Sequence, residues 1–252
     1  MSGAIYPCLK GRLVVITGGG SGIGEGMTEA YARQGARVVF LDIAEAPSRA
    51  LEARLATLDP APVFFPCDLT DMDALKACFA GIEAEHGPAD VLVNNAANDD
   101  RHAAEAVTPE YWDERMTVNL RHQFFAAQAV APAMRRRGKG VILNLGSISW
   151  HLGLPDLSLY ETAKAAIEGM TRALAREWGG DGVRVACIVP GNVKTERQMK
   201  WYTPEGEAEI VAAQCLTLRI EPRDVAAMAL FLSSDDARAI TGHEYFVDAG
   251  WR

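Results

Sequence analysis

Apolar residues along this chain gather in short, nearly continuous runs. They are RLVVIT (12–17), ARVVFLD (36–42), VFFPCD (63–68), DVLVNN (90–95), GVILNLGS (140–147), VRVACIVP (183–190) and EYFVD (244–248). Runs of this kind, rich in β-branched residues and without polar alternation, suit strands covered on both faces, as in a parallel sheet. Between them, apolar positions recur at helical spacing. One such stretch is 23–34, closed by Gly35; another is 71–86, introduced by Thr70 and Asp71. Glycine just past a helix and Asp or Thr just before one are the expected punctuation.

Strand and helix patterns alternate to the end of the chain. This predicts a doubly wound α/β fold of Rossmann type, with seven parallel strands and helices on both faces. No linker, repeat or low-complexity segment breaks the alternation, so residues 1–252 read as a single domain. The longest departure runs from about residue 190 to 221 and contains NVKTERQMKWYTPEGE. A loop of that length in an α/β domain suits a lid or binding segment.

Composition narrows the picture. With 252 residues, 49% of them hydrophobic, the chain can bury one full core. Its net charge of −8 leaves no basic excess for phosphate backbones, which argues against a nucleic-acid partner. Arg135, Arg136 and Arg137 form the one basic run, before Gly138, where positive charge suits a helix end. Five cysteines without C-x-x-C spacing fit reduced thiols in a cytoplasmic protein better than a disulfide frame. Five histidines with no H-x-x-x-H pair give a metal site little support, and none is expected. The first residues lack the layout of a signal peptide, and no apolar run approaches membrane-spanning length, so no membrane association is expected.

Chemistry first appears in TGGGSGIG (17–24), which leaves the first strand and opens the first helix. Such a turn lets backbone N–H groups and a helix N-terminus meet a pyrophosphate. Gly18, Ser21, Gly22, Ile23 and Gly24 are therefore candidate cofactor contacts. The spacing is G-x-x-x-G-x-G, and Glu25 follows Gly24 where a nucleoside-triphosphate loop would need lysine. Asp42 ends the second strand, 18 residues after Gly24. There a carboxylate can accept from the ribose hydroxyls of NAD and repel the extra phosphate of NADP. Ser21 and Ile43 stand where an arginine for that phosphate would be expected. Alone, Asp42 could equally be a polar strand end.

Further along stand CDL with Asp68, NNAA (94–97), Asn119, Ser147, Tyr160-x-x-x-Lys164 in LYETAKAA, and PGNVKT (190–195). Taken in order with the glycine turn, these residues resemble the short-chain dehydrogenase/reductase family across the whole chain. The resemblance implies hydride transfer between an alcohol and a nicotinamide dinucleotide, with a cofactor half over about 1–140 and a catalytic and substrate half over about 141–252. It also implies a homotetramer. Tyr160 and Lys164, four apart, share one helix face. A phenol of pKa about 10 is a poor base at neutral pH. The ammonium and an oxidised nicotinamide ring nearby would lower that pKa and favour the phenolate. Ser147 would hold the substrate oxygen, with Ser149 as a rival whose spacing fits less well. By resemblance, Asn119 carries a water that links Lys164 to solvent. Asp68 and Leu69 would meet the adenine, Asn95 and Ala96 the adenosine ribose, and Pro190, Val193 and Thr195 the nicotinamide end, where Lys164 also binds the ribose.

Family membership leaves the substrate open. Expected pocket walls are SISWHLG (147–153), the 190–221 excursion and NDDRH (98–102). They offer Asn98, Ser147, Ser149, Trp150, Tyr160, Asn192, Gln198 and Trp201 as candidate substrate contacts. So polar a set suits a small polyhydroxylated ligand, whose hydroxyls can meet each buried donor and acceptor. The detailed runs resemble the bacterial sugar 1-dehydrogenases of the family. That implies NAD-dependent oxidation of the anomeric hydroxyl of a cyclic aldopentose, D-xylose foremost, to its 1,5-lactone. L-arabinose, L-fucose or D-galactose would fit the same polarity. A carbonyl or 3-oxoacyl reductase is opposed by Asp42 and the polar lining, and a non-catalytic regulator by the intact Ser147, Tyr160, Lys164 and Asn119.

Overall fold

The computed structural model describes residues 3–200 and 202–251. Seven strands, β1 Leu13–Thr17, β2 Arg37–Asp42, β3 Val63–Pro66, β4 Val91–Asn94, β5 Gly140–Leu145, β6 Val183–Pro190 and β7 Glu244–Val247, form one sheet. All neighbours are parallel, in the order β3-β2-β1-β4-β5-β6-β7. The predicted runs and the observed strands coincide, with the real strands trimmed by a residue or two at most ends. β5 stops at Leu145, and beyond it the Gly146 and Ile148 amides still donate to the Ile188 and Pro190 carbonyls of β6, at 2.8 and 3.1 Å, with Ser147 between them.

The helices are α1 Gly22–Arg33, α2 Glu45–Leu55, α3 Met72–His86, α4 Pro109–Met116, α5 His122–Arg137, α6 Ser149–Leu152, α7 Ser158–Trp178, α8 Glu196–Met199, α9 Pro204–Ala213 and α10 Pro222–Ser233. A π-helical turn, Thr117–Arg121, joins α4 to α5. Successive strand residues point to opposite sides, and each side meets its own helices. Val14, Ile16, Val38 and Phe40 pack with Met27 and Tyr31 of α1, Leu51 of α2 and Val225 of α10. Leu13, Val15, Val39 and Leu41 pack with Phe79 of α3, Met134 of α5 and Trp178 of α7. Both faces are therefore dry, which is why the strands carry no polar alternation.

Punctuation follows the expected rules with small adjustments. Gln34 closes α1, and Gly35 takes the turn after it at φ +74°. Asp71 caps α3 by accepting from the Asp73 and Ala74 amides, while Thr70 turns back to Asp68. The chain runs outward from β1 through β2 to β3, then returns to place β4 on the other side of β1. That reversal opens a crevice at the carboxyl ends of β1 and β4, where ligands bind in open α/β sheets. The 190–221 excursion holds α8 and α9. Its two ends are clipped together by a bridge between Val193 and Ile220, with the Lys194 amide donating to the Ile220 carbonyl at 2.7 Å. Among the described residues no helix is long and apolar enough to cross a membrane.

Candidate active site

One continuous cleft of about 2170 Å³ runs along the crevice, bordered by the glycine turn, the 95–99 loop, the residues after β5 and the 190–221 segment. Small-molecule sites usually enclose about 300–1,000 Å³, so this one has room for a dinucleotide and a further small molecule.

At one end the walls are backbone. A side chain on Gly18, which sits at φ +63°, would come within 2.8 Å of Ala96 Cα; one on Gly24 would come within 1.9 Å of the Gly18 carbonyl. Only glycine lets the turn close this tightly. Asn95 locks it from the other side, its side-chain amide donating to the carbonyls of Thr17 (3.1 Å) and Gly18 (2.8 Å). Ser21 precedes α1 without a side-chain cap, which leaves the first-turn N–H groups of Gly22 and Ile23 for an anion. A backbone cradle at a helix N-terminus is the fit that a dinucleotide pyrophosphate requires. Asp42 accepts from the amides of Gly20 (3.0 Å) and Ala44 (2.9 Å), so its carboxylate is held at the cleft edge with lone pairs to spare. Asp68 and Leu69 line the cleft beyond it, and Ala96, Pro190, Val193 and Thr195 line its inner end.

Side chains take over at the inner end. Tyr160 and Lys164 lie on the first turns of α7, and both border the cleft. Lys164 Nζ is 5.4 Å from the Tyr160 ring centre and donates to the Leu145 carbonyl at 2.7 Å. Ser147 borders the cleft beside them, and its hydroxyl acts on the Tyr160 phenol in the direction that favours the phenolate. Behind it, the buried Ser149 sits in α6 and donates to Ser147 Oγ at 2.9 Å. Ser149 is thus a support for Ser147 as much as a rival to it.

In the protein alone, burial shifts both groups of this pair away from their charged forms, while Lys164 stays mainly protonated at neutral pH. Burial pushes the Lys164 ammonium down to about 8, against smaller opposing effects of Cys187 and Asp99. Burial and then the Asp99 charge push the Tyr160 phenol above its ordinary range, with Ser147 and Arg197 acting the other way. The lowering expected from Lys164 and the oxidised cofactor is not seen in the protein alone: desolvation dominates, and the effects that oppose it come from Ser147 and Arg197. Beside them, His122 borders the cleft with Nε2 3.1 Å from the Ala96 carbonyl. Its burial and the Lys164 charge hold its pKa down at about 4.

The remaining candidates divide. Asn98, Asn192 and Gln198 line the cleft. Asn119 stands in the π-helical turn behind it, its Oδ1 accepting the Asn98 amide at 2.8 Å while its Nδ2 is buried without a protein partner. Trp150 is a correction: it does not face the cleft. Its indole donates to Glu168 of α7 at 2.8 Å and lies against the His151 ring, because a buried carboxylate on α7 attracts both N–H groups. Trp201 lies outside the described residues.

Sequence reasoning missed how the 98–100 loop and α8 meet. Arg197 donates to Asn98 Oδ1 and Asp100 Oδ1, each at 3.0 Å, and forms an ion pair with Asp99 Oδ1 at 3.0 Å, while Gln198 Nε2 donates to Asp99 Oδ2 at 2.9 Å. The available signal was an asparagine and a pair of aspartates in one wall and an arginine in the other, 97 to 99 residues away.

The family model described as enoyl-(acyl carrier protein) reductase matches residues 18–252. D-xylose 1-dehydrogenase of Caulobacter vibrioides is 68% identical over 252 residues, the full length of both chains. Probable galactose dehydrogenase GalD of Rhizobium meliloti is 48% identical over 97% of this chain and 96% of its own. The crystal structure of gox2181 matches with a TM-score of 0.90 over 97% of each chain, at 28% identity.

Proposed function

From the premise that the chain belongs to the short-chain dehydrogenase/reductase family, we propose that it oxidises the anomeric hydroxyl of a cyclic aldose, D-xylose foremost, to the 1,5-lactone with NAD. The observation that carries this reading is the meeting of Ser147, Tyr160 and Lys164 on the wall of the same cleft that the glycine turn opens. Identity over the full length of a D-xylose 1-dehydrogenase supports the sugar.

The turn residues Gly18, Ser21, Gly22, Ile23 and Gly24 hold the pyrophosphate. Asp42 accepts from the adenosine ribose, whose region Asn95 and Ala96 also border, and Asp68 and Leu69 flank the adenine. Pro190, Val193, Thr195 and Lys164 hold the nicotinamide end. When bound, the oxidised nicotinamide accepts a hydride from the anomeric carbon. Ser147 fixes the sugar oxygen, and Tyr160 takes its proton as general base. The positive charge beside Tyr160 must come from Lys164 and the bound cofactor together, since burial alone disfavours the phenolate. The proton leaves through Lys164 and a relay water that the buried Asn119 Nδ2, a donor without a protein partner, would hold. Asp42, held at the cleft edge, supports NAD over NADP. Free cysteines support a cytoplasmic site of action. A homotetramer is supported by the outer face of α7, where nothing in this subunit lies within 4 Å of a side chain placed on Gly169.

Adding NAD and a panel of aldoses to the purified protein, with absorbance of reduced nicotinamide as the readout, tests the reading. The expected order has D-xylose first by kcat/KM. D-Galactose first would favour the preference named for the Rhizobium relative, and a flat trace with every sugar would overturn the proposal.

A further inference from the structure

We propose that Asp99 is a substrate-binding residue whose carboxylate accepts hydrogen bonds from ring hydroxyls of the sugar while α8 holds it in place. The inference rests on the aldose reading above and adds the group that recognises the polyol. Asp99 lines the cleft, and its side chain keeps 34% of its surface accessible. Its charge acts on both Tyr160 and Lys164, so it stands at the catalytic end of the cleft. Arg197 lies 3.0 Å from Oδ1 as an ion-pair partner, and Gln198 donates to Oδ2, so at most one acceptor site on each oxygen is taken. A carboxylate offers about four acceptor sites, which leaves at least two.

A sugar bound for oxidation at its anomeric carbon brings several O–H donors that need acceptors once water is excluded. The neighbouring amides are poorly placed to provide them. Asn98 Oδ1 already accepts from Arg197 and from the Asp100 amide, and Asn192 Oδ1 accepts from Arg219 at 2.9 Å. Asp99 is the charged acceptor with capacity, beside the Gln198 side-chain carbonyl oxygen, and charge-assisted bonds to it are shorter and stronger than bonds to an amide. Because its holders sit on α8, the sugar and the lid share one group, and seating the lid aligns the acceptor.

The test uses D-xylose and its 2-, 3- and 4-deoxy analogues with the full-length wild type, Asp99→Asn, Asp99→Ala and Arg197→Gln proteins. Asp99→Asn should raise KM for D-xylose about tenfold while leaving KM for NAD within about twofold. Wild type should discriminate against at least one deoxy sugar by about tenfold, and Asp99→Ala should shrink that ratio below about threefold, because the lost hydroxyl then has no partner to forfeit. Arg197→Gln, which loosens the latch and keeps the acceptor, should retain the discrimination. If deoxy-sugar ratios are unchanged in Asp99→Ala, or if Arg197→Gln erases them equally, Asp99 is only a latch and the inference is overturned. A wild type that oxidises no aldose overturns the functional reading and this inference with it. An active wild type with an indifferent Asp99→Ala overturns the inference alone.

Discussion

The two ends of the cleft are built from different materials. The nucleotide end is backbone: a glycine turn pressed against Ala96, an uncapped helix N-terminus, and an aspartate pinned by two amides. The inner end, where we place the sugar, is side chain on side chain, with Arg197 and Gln198 of one segment holding Asn98, Asp99 and Asp100 of another. A backbone site has a fixed shape and suits a cofactor that never changes. A site of exchangeable side chains can be respecified sugar by sugar while the hydride chemistry is kept.

Breaking the backbone end should have the largest effect. Gly24→Val places a Cβ 1.9 Å from the Gly18 carbonyl, so the turn must open to admit it and the cradle loses its shape. NAD affinity should fall by at least about a hundredfold, about 2.7 kcal/mol, read by calorimetric titration, with the far-ultraviolet circular dichroism retained. A variant that binds NAD normally would mean the cradle is not the binding site. A smaller effect should follow at the one place where the nucleotide end relies on a side chain. Asp42→Ala should lower kcat/KM with NAD by about tenfold and raise it with NADP, since a carboxylate that accepts from one ribose also repels a phosphate on it. No change in the NAD to NADP ratio would remove Asp42 from cofactor choice.

The same contrast explains what could be read in advance. Strands were legible because burial on both faces erases polar alternation, as in Val14 to Thr17 and Val38 to Leu41. The turn was legible because glycines at fixed intervals have few uses other than close approach. Tyr160, Lys164 and Ser147 were legible through the family resemblance, and the four-residue spacing added that the first two share one helix face. Trp150 was misread because its direction depends on Glu168, one residue among many polar ones on α7. The latch was unread because it pairs Asp99 with Gln198 across 99 residues, and a single sequence carries no sign of which distant charges meet.

The smallest effect lies where the two ends join. Burial depresses Lys164 from 10.5 to about 8 in the folded chain. Between those values the unfolded chain binds more protons than the folded one, so stability rises with pH through that window. Thermal melts from pH 8 to pH 10 should show a Tm increment of a few degrees attributable to this lysine, about 2–4 °C per kcal/mol. The increment should be missing in Lys164→Met. Equal pH slopes in the two proteins would show that Lys164 is not desolvated as described.

The central claim is that the Tyr160 hydroxyl, made basic by Lys164 and the bound oxidised cofactor, takes the proton from the sugar. Tyr160→Phe removes that oxygen and little else. With NAD affinity unchanged within about twofold, turnover of D-xylose should fall by about 10²–10⁴, the range for loss of a general base. Tyr160→Phe protein that still reduces NAD at the wild-type rate with D-xylose would contradict the account.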